Sequence, residues 1–183
     1  LDGAGIENDL YSLMISLQYP LFAYLNFIEE YCLDAEYPLN ASISGHLGWL
    51  ARLTSGSAVE QQVKHTSLIY HSRQLEKVGW SRVKNEKNTT TMQRSMVISS
   101  LGLLEHEETL AWGKRLFAEI QQGKDSVDPN LKSVVYAVAA LQGDEKMFDY
   151  FFQRYKKETL PEENRRLLRS LGMFRDVTLV KKA

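Results

Sequence analysis

The stretch from Val127 to Arg169 constrains the fold more than any other part of the chain, because it encodes two helix starts, a short turn and two matched apolar faces without interruption. Asp128 can accept a hydrogen bond from the unpaired amides of a first turn that Pro129 enters with φ already set. Leu131, Val134, Val135 and Val138 then share one face. Gln142-Gly143-Asp144 makes the turn: Gly143 suits a left-handed residue ending the first helix, and Asp144 can cap the next. Met147, Phe148, Phe151, Phe152 and Tyr155 recur as one buried stripe, with only Tyr150 of this aromatic cluster off it. Helices joined by so short a turn are expected to lie antiparallel and in contact.

The same punctuation recurs along the chain. Ile6, Leu10, Leu13, Met14 and Leu17 keep the helical period, and after Tyr19-Pro20 it resumes through Leu21, Leu25, Ile28 and Cys32. A third helix carries Ile43, Leu47 and Leu50, and a fourth Val59, Val63 and Tyr70. Between Lys77 and Thr91 the pattern lapses into the longest connection, and helices resume at Met92 and again at Glu105, Pro161 and Phe174. No segment alternates as a strand does. The fold expected is all-α: about ten helices in antiparallel pairs, stacked as an irregular HEAT/armadillo-like α-α superhelix over residues 1–183 as a single helical-repeat domain. Starting on Leu1 with a helix already under way by Ile6, it reads as a fragment of a larger domain. Its end helices should then expose apolar faces and self-associate.

Composition narrows the function classes. Lys plus Arg is 22 against 23 for Asp plus Glu, a net charge of -1, so no global field draws in nucleic acid or an anionic membrane. The longest apolar run, Val134 to Leu141, is far short of the roughly 20 residues that cross a bilayer. Cys32, alone and on a helix face with Leu25 and Ile28, reads as a small buried hydrophobe, compatible with a cytoplasmic location. Asn40-Ala41-Ser42 and Asn88-Thr89-Thr90 match the glycosylation sequon, a pattern common by chance and silent inside a cell.

The search for chemistry turns on His106-Glu107-Glu108-Thr109-Leu110, which begins like a His-Glu-x-x-His zinc helix but has Leu110 where the second imidazole must stand. His65 and His71 lie six apart, on different faces of one helix, and His46 is alone. There is no nucleophile elbow and no glycine-rich phosphate loop. The cations Arg154, Lys156, Lys157, Arg165, Arg166 and Arg169 are balanced by Glu158, Glu162 and Glu163, as on a solvated face.

Taken together, Ala4-Gly5-Ile6-Glu7-Asn8-Asp9-Leu10-Tyr11-Ser12-Leu13, the helix from Leu25 to Tyr37, Gly79-Trp80, Gln93-Arg94-Ser95, Asp128 to Gly143 and Asn164 to Leu171 resemble the C-terminal helical domain of M1-family zinc aminopeptidases, nearest to the archaeal tricorn-interacting members. The resemblance implies a bowl of helix pairs that covers an active site and shapes peptide access. It implies zinc in the parent's catalytic domain, which is absent from this chain, no catalysis by the fragment alone, and no cofactor in it. Expected partners are that catalytic domain and peptides, with no nucleic acid and no membrane. Arg94, Lys132 and Tyr136 match positions where members turn side chains towards the cavity, which makes them the peptide-binding candidates. The alternative function is a free-standing helical-repeat scaffold for a protein partner.

Overall fold

The structure is a computed structural model in which residues 3–33, 35–124 and 127–182 are described; Leu1, with the expectation attached to it, lies outside them. Among these residues there are ten helices and no strand, so the chain is all-α. They are α1 Gly3–Ile15, α2 Leu21–Tyr31, α3 Leu39–Leu53, α4 Glu60–Val78, α5 Asn88–Leu103, α6 Glu107–Gln121, α7 Pro129–Leu141, α8 Glu145–Lys157, α9 Pro161–Leu171 and α10 Val177–Val180. They fall into two compact units, Leu1–Leu104 and Glu105–Ala183.

In the first unit α4 lies against α2, α3 and α5, and α1 rests on α2 and α3. Its core holds Tyr24, Leu25, Ile28, Ile43, Leu47, Val63 and Tyr70, each withdrawn from water, at about 1.5–3 kcal/mol per large apolar side chain. Cys32 belongs to this cluster and closes α2, its amide donating to Ile28 O at 3.0 Å. α1 enters through a polar joint. The Glu7 carboxylate, wholly buried, accepts from Tyr24 Oη at 2.5 Å and Ser42 Oγ at 3.0 Å and sits 2.8 Å from His46 Nδ1. The His46 ring lies flat on Tyr11, centroids 3.5 Å apart. Burial opposes the charge on Glu7, but His46, Tyr24 and Ser42 together hold its pKa below the ordinary carboxylate value. α5 begins at Asn88, four residues before the expected Met92, because Glu86 accepts from Thr91 Oγ1 at 2.7 Å and organises the polar first turn.

In the second unit the expected caps form: Asp128 Oδ1 accepts from Asn130 N and Asp144 Oδ1 from Met147 N, both at 2.9 Å. The backbones approach most closely between α6 and α7, α8 and α9, and α7 and α9, whereas α7 and α8 meet through side chains, with Tyr136 edge-on to Phe151 at 5.6 Å. Phe117 stacks on Phe151 at 4.9 Å, and Phe174 meets both Phe148 and Phe151 edge-on. Gly143 corrects an expectation: it is not among the residues with positive φ. It is needed for space, since a Cβ there would lie 2.3 Å from Phe174 Cε1. Gly113 does the same for α6 on α7, where a Cβ would fall 2.4 Å from Val138 Cγ1.

Candidate functional site

Packing α3, α4 and α5 around one another leaves a groove of about 520 Å³ in the first unit. Small residues open it. On α3, Ser44, Gly48 and Arg52 follow at one-turn spacing, and on α4, Lys64, Ser67 and His71 share a face. Leu47, Ala51, Leu103 and Leu104 make the apolar walls.

The floor is polar. His71 Nδ1 lies 2.7 Å from Ser67 O, and a carbonyl only accepts, so this nitrogen carries the proton. Burial pushes the imidazole down to about 4, so the ring is neutral near pH 7 and Nε2 is an acceptor. Nε2 faces Ser44 Oγ at 3.1 Å, but that hydroxyl also lies 3.1 Å from Asn40 Oδ1 and has one proton for the two. Ser67 Oγ is buried without a hydrogen-bond partner. Ser67 Oγ, which can both donate and accept, is sealed from solvent, so His71 Nε2 and Ser44 Oγ are the polar atoms that stand between it and the groove. The Ser44–His71 contact superficially matches a nucleophile–base pair, yet a base with its pKa near 4 is a weak proton acceptor at neutral pH, and Ser44 sits in mid-helix.

Two cations stand at the rim: Arg52, exposed and 5.7 Å from the Trp49 ring centroid, and Lys64, whose Nζ is 2.7 Å from Glu60 Oε1. Neither was singled out by periodicity. The legible signal was the small-residue stripe on α3, which leaves room that a core helix ordinarily fills.

The three sequence candidates lie elsewhere. Arg94 is 1% exposed and clamps the connection 79–87: its guanidinium donates to both Glu86 oxygens at 2.7 Å, to Val78 O at 2.6 Å and to Gly79 O at 3.0 Å. The guanidinium beside it holds the Glu86 carboxyl down at about 2. Tyr136 is fully buried and donates to Glu163 Oε1 at 2.6 Å, with Arg154 over its ring. Lys132, one turn before Tyr136 on α7, is half-buried. Lys132 is thus the only one of the three whose side chain reaches water within its own unit. Among the described residues no three His, Cys, Asp or Glu side chains converge as a metal site requires. His106 Nδ1 instead lies 3.0 Å from Thr109 Oγ1. No helix among the described residues is long and apolar enough to cross a membrane.

Packed helices and buried polar clamps define an all-helical domain. Comparison with known proteins makes the assignment specific. Residues 1–183 match the ERAP1-like C-terminal domain, and the chain belongs to that family. It is 25% identical to aminopeptidase 2 of Candida albicans, over 94% of this chain and 19% of that protein. It is 23% identical to aminopeptidase M1 of Arabidopsis thaliana, over 99% and 21%. With a probable aminopeptidase 2 of the archaeon Sulfurisphaera tokodaii it shares 24% identity, over 98% and 21%. The chain thus spans about a fifth of the length of these curated relatives. Fungal, plant and archaeal relatives match almost equally, so these identities do not single out the tricorn-interacting group.

Proposed function

We propose that the chain is the non-catalytic C-terminal helical domain of a zinc-dependent M1 aminopeptidase, and that it shapes which peptides reach an active site supplied by the rest of the polypeptide. The observation that carries this reading is the α3–α4–α5 groove. Its apolar walls accommodate a side chain, and Arg52 and Lys64 at the rim suit a carboxylate. A peptide supplies both partners. Lys132 is the remaining cation proposed to meet peptide, and the cytoplasm the proposed compartment. Arg94 and Tyr136 serve by fixing the helices that carry these groups.

The test compares substrates of different length in the full-length parent enzyme. Gly48 lines the groove and a Cβ there meets nothing within 4 Å, so Gly48→Leu builds into the groove. Gly48→Leu and Arg52→Glu should each lower kcat/KM on long peptides about tenfold and leave hydrolysis of a single aminoacyl arylamide unchanged. Equal effects on both substrates, or none on either, would overturn the proposal.

A further inference from the structure

The connection 79–87 between α4 and α5 is tied at its ends and folded on itself in the middle. Glu86 N donates to Val83 O at 3.2 Å and Val83 N donates to Glu86 Oε2 at 3.1 Å, closing a β-turn with Lys84 and Asn85 at its corner. Asn85 takes a φ of +65°, which asparagine tolerates better than most residues. Arg94 holds the Glu86 carboxylate and the Val78 and Gly79 carbonyls together beneath it. What this anchoring displays is three cations and one apolar side chain. Arg82, Lys84 and Lys87 are exposed, and Val83, between the first two, has 65% of its surface in water. Glu86, the one carboxylate of the connection, is engaged by Arg94 and lies only at the outer limit of an ion pair with Arg82, 4.0 Å from its Nε. Lys84 and Lys87 form no ion pair among the described residues. From Lys77 to Arg94 the sequence carries five cations and one carboxylate, in a chain whose net charge is -1.

A turn that only joins two helices needs neither an exposed valine beside its corner nor a buried guanidinium to hold one shape. Fixing the shape in advance removes the ordering cost that a mobile loop pays when it binds. We propose that residues 82–87 are a preformed docking corner for an acidic polypeptide segment of a partner protein, one that carries an apolar side chain between carboxylates. The apolar side chain covers Val83, and the carboxylates pair with Arg82, Lys84 and Lys87. Nucleic acid fits less well. A phosphodiester backbone offers Val83 nothing, residues 81–87 include no aromatic ring on which a base could stack, and the net charge of -1 gives no wider field to hold a polyanion. The inference is independent of the peptide groove, since no residue of 79–87 lines it.

Fluorescence anisotropy with the full-length protein tests it. The probe is the peptide Glu-Asp-Leu-Asp-Glu, with fluorescein on its amino end and an amide at its carboxyl end. It therefore presents neither a free amine to an aminopeptidase nor a terminal carboxylate to the groove. Binding should be saturable and should weaken as salt rises from about 50 to about 300 mM, because exposed charges are screened. Lys84→Glu should lower the affinity about tenfold through a lost attraction and a new repulsion. Val83→Ser should lower it by a similar factor, about tenfold, through lost apolar burial. The turn is closed by the Val83 backbone, so both variants keep its hydrogen bonds. No saturable binding up to about 1 mM, or equal binding by the wild type and both variants, would overturn the proposal. So would an oligothymidylate that displaces the peptide and binds Val83→Ser as well as the wild type, which assigns the turn to nucleic acid. Lys84→Glu should leave the length preference of hydrolysis unchanged, so either reading can fail while the other stands.

Discussion

Replacing Arg94 by methionine keeps the aliphatic stem and removes the guanidinium that ties α4, the 79–87 connection and α5 together. Two bonds to Glu86 and those to Val78 O and Gly79 O are lost at once. Deleting one member of a buried, hydrogen-bonded ion pair costs about 3–5 kcal/mol. The Glu86 side chain keeps 7% of its surface in water and retains the Thr91 hydroxyl and the Val83 amide, so the loss expected is at the lower end, about 3 kcal/mol. Arg94→Lys restores a charge without the fork and should recover about half of it. The measurement is urea unfolding followed by tryptophan fluorescence in a Trp112→Phe background, where Trp49 and Trp80 report on the first unit. Hydrogen exchange should rise through residues 79–87. The acid limb supplies a second check. Glu86 has a folded pKa depressed to about 2, so its contribution is complete above the unfolded value near 4.5 and is lost as pH falls towards 2. Glu86→Gln should flatten the stability profile in that window. A loss below about 1 kcal/mol for Arg94→Met, the worth of a surface pair, would refute the clamp.

Two further outcomes follow from the packing. Gly113→Ala drives a methyl group against Val138 and should destabilise the second unit by about 1–3 kcal/mol; adding Val138→Ala should relieve the clash, and a double mutant no better than the sum of its parts would sink that account. Glu7→Gln weakens the joint seating α1 and should cost about 2 kcal/mol, with faster amide exchange confined to α1. The folded pKa of Glu7 is lowered, so its stabilisation is present above about 4.5 and fades as pH falls; the variant should lose that acid dependence, and an unchanged profile would count against it.

Local features were legible because their partners lie a few residues away. Asp128 and Asp144 cap helices through amides two and three positions on, and the Phe148–Phe151 stripe is a matter of period. Gly143 was placed correctly and explained wrongly: the residue that demands a glycine is Phe174, thirty-one positions later, which no local pattern exposes. Arg94 and Tyr136 were candidates because they match positions where family members turn side chains towards the cavity; Glu86 and Glu163, which accept from their polar ends, are eight and twenty-seven residues away. The groove depends on three helices meeting, and only its small-residue stripe existed in one dimension.

Asn40 carries a consequence for how the protein is made. Its side chain is wholly buried in α3 against Ser44, and Ser42, the hydroxyl of the same sequon, is bonded to Glu7. Asn88, at the exposed start of α5, has no such burial. A sugar transferred to Asn40 while the chain is still extended could not be accommodated when α3 closes on α1 and α4, whereas one on Asn88 would stand clear in water. The order of modification and folding thus decides whether a molecule produced in a secretory host can fold at all.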